Sequence, residues 1–179
     1  MKAQFWSIDL VFAIIVFTGT LVILSIAWTN LSGQFASSYS FSIGIMQLQL
    51  NGLLQRLQSP GYPQDWNSFV SINSISTWSN VSIGLAGGPG NATLSGNKVL
   101  SLMGMSNYNY QSTKSLLGVG YDYYITIYSQ GQYNISIGRN PIALNATAIQ
   151  VATVPVIING AYPGEMRVMV WTNTTFGVG

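Results

Sequence analysis

The chain contains no cysteine and no histidine, and only ten of its 179 residues carry charge. Without cysteine there is no disulfide framework and no thiolate to act as nucleophile or metal ligand. Without histidine the commonest general base and the commonest metal ligand are gone. The ten charges are Lys2, Asp9, Arg56, Asp65, Lys98, Lys114, Asp122, Arg139, Glu165 and Arg167. A charged fraction of 6% is far below the ~25% of an ordinary domain, so solubility has to come from Ser, Thr, Asn, Gln and Tyr. Four carboxylates and no histidine also leave little to titrate between roughly pH 2 and 8, so tolerance of acid is expected.

These absences exclude most chemistry. Paired carboxylates for acid–base work would have to come from Asp65, Asp122 and Glu165, which stand beside turn signals or aromatic residues and are expected to cap or solvate loops. No Gly-x-Ser-x-Gly is present, and no acidic cluster offers calcium six oxygen ligands. The run Gly84-Leu85-Ala86-Gly87-Gly88-Pro89-Gly90 lacks the Walker lysine and the dinucleotide spacing, and reads as a surface loop or tight turn. The net charge is +2, and Arg56, Lys98, Lys114, Arg139 and Arg167 are dispersed rather than clustered, so nucleic acid is not an expected partner. Neither an enzyme nor a cofactor nor a metal site is expected; N-linked glycans are the one covalent addition the sequence suggests.

What the chain does have is a long hydrophobic run near its N-terminus. Residues 10–28 hold no charge, and nineteen residues at ~1.5 Å each match the ~30 Å of a bilayer core. A lone carboxylate, Asp9, sits at the mouth of this run, where a charge is costly unless paired. A cleaved secretory signal has a shorter apolar core with its small-residue site after it; here the small residue, Ala3, comes before. Lys2 is the only positive charge nearby, which places the N-terminus inside and the rest outside.

The segment Lys2-Ala3-Gln4-Phe5-Trp6-Ser7-Ile8-Asp9-Leu10 resembles the leader junction of archaeal type IV pilins, the class III signal sequences. In that family a basic and a small residue precede Gln, Ser and an acidic residue, and an unbroken hydrophobic helix follows. The resemblance implies cleavage between Ala3 and Gln4 by a membrane prepilin peptidase, then packing of the helices into a filament core. That cut makes Asp9 the sixth residue, where the family acid is usually the fifth; cutting after Gln4 restores the fifth position. It further implies that Asp9 pairs with the new N-terminal amine of a neighbouring copy.

Beyond Trp28 a helical period continues. Leu31, Phe35, Tyr39, Ile43, Met46, Leu50, Leu53 and Leu57 recur every three or four residues. Ser59-Pro60-Gly61-Tyr62-Pro63 then ends the helix. From residue 61 the pattern changes to period two. Tyr123, Ile125 and Ile127, then Tyr133, Ile135 and Ile137, alternate with polar residues on either side of Ser129-Gln130-Gly131-Gln132, which predicts a hairpin. A second hairpin is expected from residues 149–158 through Asn159-Gly160 to residues 166–171. Short strands are expected at residues 69–72, 75–78 and 81–85, and short helices at 94–105 and 110–117.

Looser likenesses to the connector of archaeal pilin-like surface proteins follow in order: Pro63-Gln64-Asp65-Trp66, Ile83-Gly84-Leu85-Ala86, residues 94–98, Leu116-Leu117-Gly118 and Tyr121-Asp122-Tyr123. The hairpin from Asn159-Gly160 to Trp171 is similar too. Six Asn-x-Ser/Thr sequons, at Asn30, Asn80, Asn91, Asn134, Asn145 and Asn173, offer a hydrated coat in place of charge, and about half are expected to carry sugar.

The sequence thus predicts an α+β protein: a leader at residues 1–3, a hydrophobic helix over 4–58, and a mostly antiparallel, β-sandwich-like head over 61–179 with one or two short helices. The resemblance implies a structural filament subunit at the cell surface, single-pass in the membrane before assembly, with adhesion as its role. Its partners would be identical subunits, the peptidase and a membrane assembly machinery. The alternatives are a surface protein or minor pilin that does not polymerise, and an archaellin, whose leader usually has basic residues and Gly before the cut and lacks the Gln-Ser-Asp pattern.

Overall fold

The structure is a computed structural model that describes residues 3–88, 93–131 and 133–174, with side chains described from residue 8 onward except 35–40. It divides into two compact units, one running to Ser42 and the other beginning at Ile43. The boundary falls inside the first helix, α1 (Ala3–Leu57), so the last turns of that helix belong to the second unit.

In the first unit the helix is apolar all round. Residues 8–34 form a span long and apolar enough to cross a membrane or to serve as a signal sequence, and none of the span is buried within the chain. Thr18, Thr20 and Ser32 fold their hydroxyls back onto the carbonyls of Ile14, Val16 and Trp28 at 2.7–2.8 Å. That satisfies the only polar atoms those side chains have without recourse to water.

In the second unit the same helix acquires a buried face. Met46, Leu50, Leu53 and Leu57 are at most 2% exposed, at the spacing the period predicts. Segment 82–86 crosses the helix end and supplies donors to its last carbonyl and to the chain just beyond it. Leu85 N donates to Leu57 O at 2.9 Å and Ala86 N to Ser59 O at 3.0 Å. Gly61 and Gly84 permit this crossing: a Cβ on Gly84 would lie 2.2 Å from Ser59 O, and one on Gly61 2.4 Å from Ser82 O. Ile83, Gly84, Leu85 and Ala86 are accordingly buried, so the first three residues of the run 84–90, for which a surface loop or tight turn is expected, lie inside rather than on the surface.

A five-stranded mixed sheet forms the rest, with strand order β1-β4-β5-β2-β3. β1 is Thr93–Leu94, β2 Asp122–Ser129, β3 Tyr133–Gly138, β4 Ala148–Ile158 and β5 Tyr162–Thr172. Only the β1–β4 pair is parallel. Both expected hairpins form, β2–β3 and β4–β5, and β2 also pairs with β5 in unbroken antiparallel register. One face buries Tyr123, Ile125, Ile127, Ile137, Met166, Val168 and Val170. Two helices, α3 (Gly96–Tyr108) and α4 (Tyr110–Leu116), lie close to the two helical segments expected. Asn109 caps α4, its side chain accepting from Ser112 N at 2.9 Å.

The α+β class holds, but the head is one curled sheet and not a sandwich. The three short strands expected between residues 69 and 85 do not form. In their place stand a single helical turn, α2 (Trp66–Phe69), a 3-10 turn (Ile75–Trp78) and the irregular crossing segment. Local hydrogen bonds explain the difference. Thr77 Oγ1 donates to Ser74 O at 2.8 Å, and Trp78 Nε1 to Ser71 O at 2.8 Å. Hydroxyl-rich segments close on their own backbone instead of offering it to a ladder. The helix expected from residue 94 also starts later, because Leu94 is taken into the sheet opposite Ile158.

On its far side β4 is covered only at Ile157 and Ile158, where β1 lies. Residues 148–156 have no strand beside them there among the described residues. Asn159 N donates to Leu94 O on that side at 2.8 Å. Strand alternation then directs the backbone groups of Ile149, Val151, Thr153 and Pro155 to the same side.

Candidate functional site

Two regions carry the residues that the sequence singles out: the start of α1 and the surface of the sheet unit. At the start of α1, Ala3 and Gln4 have helical backbones and Asp9 is exposed. Lys2 lies outside the described residues, as do the side chains of Ala3 and Gln4. Every described residue from 8 to 34 is exposed, including Phe12, Phe17, Ile23 and Trp28. Asp9 is the only charged residue in that span. The chain therefore presents an apolar cylinder with a carboxylate near its beginning.

The sequons divide by backbone context. Asn30 sits within α1 and inside the apolar span. Asn91 lies outside the described residues. Asn80, Asn145 and Asn173 are exposed in non-strand segments, Asn145 with a left-handed φ of 52°. Asn134 is exposed on the edge strand β3.

The few charges of the sheet unit are used with economy. Lys98 on α3 is 4% exposed, and its ammonium donates to Pro60 O at 2.7 Å and Ala86 O at 2.8 Å. Burial pushes its pKa down, opposed by the nearby charge of Asp65. Arg56 donates to Leu116 O at 2.9 Å. Asp122, which the sequence reading placed as a loop-solvating group, is the hub of a polar cluster. Its Oδ1 accepts from Lys114 Nζ at 3.1 Å and from Tyr110 OH at 2.9 Å. Tyr110 stacks on Tyr123 with ring centroids 5.0 Å apart, and the Arg139 guanidinium lies 4.4 Å from the centre of the Tyr110 ring. Tyr123 OH donates to Ser106 Oγ at 3.0 Å. Burial raises the Tyr123 phenol to about 12, the Ser106 hydrogen bond opposing the shift. Burial raises Tyr110 further, against the opposing hydrogen bond from Tyr123 N, with Asp122 adding to the rise.

This cluster ties α4 to β2 and to the segment after β3; its partners are all internal, which suits cohesion. No buried side-chain nitrogen or oxygen among the described residues lacks a partner. The sequence reading missed the cluster. Its signal was present as Tyr110-x-x-x-Lys114, an i, i+4 pair on one helix face, but the facing strand could not be read from spacing.

The chain matches no protein-family model, no curated protein and no solved structure.

Proposed function

We propose that this protein is an archaeal type IV pilin-like subunit, held in the membrane by α1 before assembly and by the same helix in a filament core afterwards. The observation that carries the reading is the apolar cylinder of residues 8–34, exposed around its whole circumference and charged only at Asp9. A helix without a polar face requires lipid or other apolar helices around it. The leader-like sequence ahead of it, with Ala3, Gln4 and Asp9 in order, supports copies of the chain as the second environment.

In the filament Asp9 leaves water and requires a cation. The amine freed by cleavage on a neighbouring copy supplies one. Contacts of this kind are heterologous, since each copy offers one end and receives another, and they generate an open helical array. The sheet unit then forms the filament surface, coated by glycans on exposed sequons, and adhesion to surfaces or cells is its role.

The deciding experiment is mass spectrometry of the N-terminus in protein sheared from its own cells. A start at Gln4 or Phe5 in the sheared fraction is the expected result. Intact Met1 found only in membranes would make this a single-pass surface protein, and the amine partner for Asp9 would be lost with the filament.

A further inference from the structure

The outer face of the sheet carries a group of polar side chains that the cohesive clusters do not use. Tyr128 on β2 lies directly opposite Asn134 on one side and Glu165 on the other. One row along, Thr126 faces Arg167. Directly opposed residues share a sheet face at Cβ separations of about 4.5–5.5 Å. Thr126, Tyr128, Asn134, Glu165 and Arg167 together line a depression of about 260 Å³. A second hollow of about 280 Å³ shares Tyr128 and Asn134.

Three features set this place apart. First, none of the five side chains makes a hydrogen bond or ion pair among the described residues, whereas Arg56, Lys98, Lys114 and Asp122 are each bonded and Arg139 lies over Tyr110. Second, a carboxylate and a guanidinium stand two residues apart on one strand face without forming a salt bridge, so the pair is balanced in charge. Glu165 opposes an anion and Arg167 opposes a cation, while together they accept from and donate to neutral hydroxyls. Third, the Tyr128 ring is half exposed beside them, a flat apolar surface.

We propose that this depression holds a neutral sugar ring. The C–H face of a pyranose rests on Tyr128, while its hydroxyls bond to Glu165 and Arg167. The volume is slightly below the ~300–1,000 Å³ of ordinary ligand pockets, which suits one ring. Asn134, in its Asn-Ile-Ser sequon, opens into the same depression, so the ring can be the first sugar of a glycan borne there. Attachment forms the Asn134 Nδ2–C1 bond as the C1–O bond to a lipid-linked phosphate donor breaks; the amide proton leaves with the released phosphate. The other source is a saccharide from outside the chain. Neither source requires polymerisation, so failure of the filament reading leaves this inference standing.

The test has two arms, both on the full chain. Native protein is analysed for sugar on the Asn134 peptide, and melting is compared for wild type, Asn134→Gln, Tyr128→Ala and the double variant. Unglycosylated chain in detergent is titrated with glucose, mannose and N-acetylglucosamine while NMR follows the Tyr128 ring. A docked glycan of its own is indicated when Asn134 carries sugar and Asn134→Gln lowers Tm by a few degrees in wild type but not beside Tyr128→Ala. An external source is indicated when Asn134 is bare and the free sugars shift the Tyr128 signals. In that case Glu165→Gln or Arg167→Gln weakens binding about tenfold, and Tyr128→Phe, which keeps the ring, retains it. Additive Tm effects, or a bare Asn134, combined with unmoved Tyr128 signals, overturn the proposal.

Discussion

Tyr123 and Tyr110 show how a chain with few charges places its polar atoms inside. Both phenols are held protonated by burial, Tyr123 up to about 12, and Tyr110 moves in the same direction. Below the ordinary phenol value of about 10 both are protonated in the folded and unfolded states, and their stabilisation is complete. As pH rises from there toward the folded value, the unfolded chain sheds protons that the folded one keeps, so stability falls. Lys98 acts in the opposite sense over the alkaline window below its unfolded value, because its folded pKa is lowered. Above the ordinary lysine value of about 10.5 the amine is neutral in both states, and the two phenols alone set the slope. Denaturant midpoints are expected to fall as pH rises above about 10.5, and Tyr123→Phe is expected to flatten the fall; an unchanged slope in the variant would remove Tyr123 as the cause. Lys98→Met leaves Pro60 O and Ala86 O without their donor. Relief of a buried ammonium offsets part of that cost, and a net loss of about 1–3 kcal/mol is expected. A gain in stability on chemical unfolding would mean that desolvation outweighs the two bonds.

Among the elements, legibility followed the length of the repeating pattern. Eight apolar residues at helical spacing located α1, and the alternation of Tyr123, Ile125 and Ile127 located β2, because each repeat has one core-facing solution. Residues 69–85 misled because their apolar residues, apart from the pair Phe69-Val70, stand singly and are interleaved with Ser, Thr and Asn, whose hydroxyls and amides bond locally. The outer-face depression was half legible. Alternation assigned Thr126, Tyr128 and Asn134 to a polar strand face, but which of them oppose Glu165 and Arg167 depends on pairing across β5, a register that no local signal sets. Helix α1 also illustrates how one element can serve two environments. Leu50 is fully buried, whereas Leu24 is 65% exposed. Leu50→Ala is expected to destabilise the sheet unit by about 2–5 kcal/mol, and Leu24→Ala to alter it by less than about 0.5 kcal/mol, both read from denaturant unfolding in detergent. Equal effects would show that the sheet unit does not depend on the buried face of α1.

For the whole molecule, scarcity of charge sets the response to acid. Its carboxylates are Asp9, Asp65, Asp122 and Glu165, and Lys114–Asp122 is the one salt bridge among the described residues, at 3.1 Å. Protonating four side chains withdraws little from a fold held by buried apolar groups and internal hydrogen bonds. The melting midpoint is expected to change by only a few degrees between pH 7 and pH 3; a steep fall would locate more of the stability in the Asp122 cluster than its single ion pair suggests.

The same scarcity acts differently along β4. Proteins ordinarily guard an open strand edge with lysines, bulges or a covering segment. From Ala148 to Val156 this strand has no charged residue, and among the described residues its one safeguard is Pro155, which withholds one donor. Ile149, Val151 and Thr153 keep theirs, so the strand is half of an unfinished ladder and can template another chain of its kind. Crowded copies have in this edge a nucleus for cross-β deposits. Val151→Lys is expected to delay such deposits in concentrated protein without lowering the melting midpoint, and an unchanged lag would place the nucleus elsewhere. The surface that lets the molecule dispense with charge thereby makes its solubility depend on how its copies are kept apart.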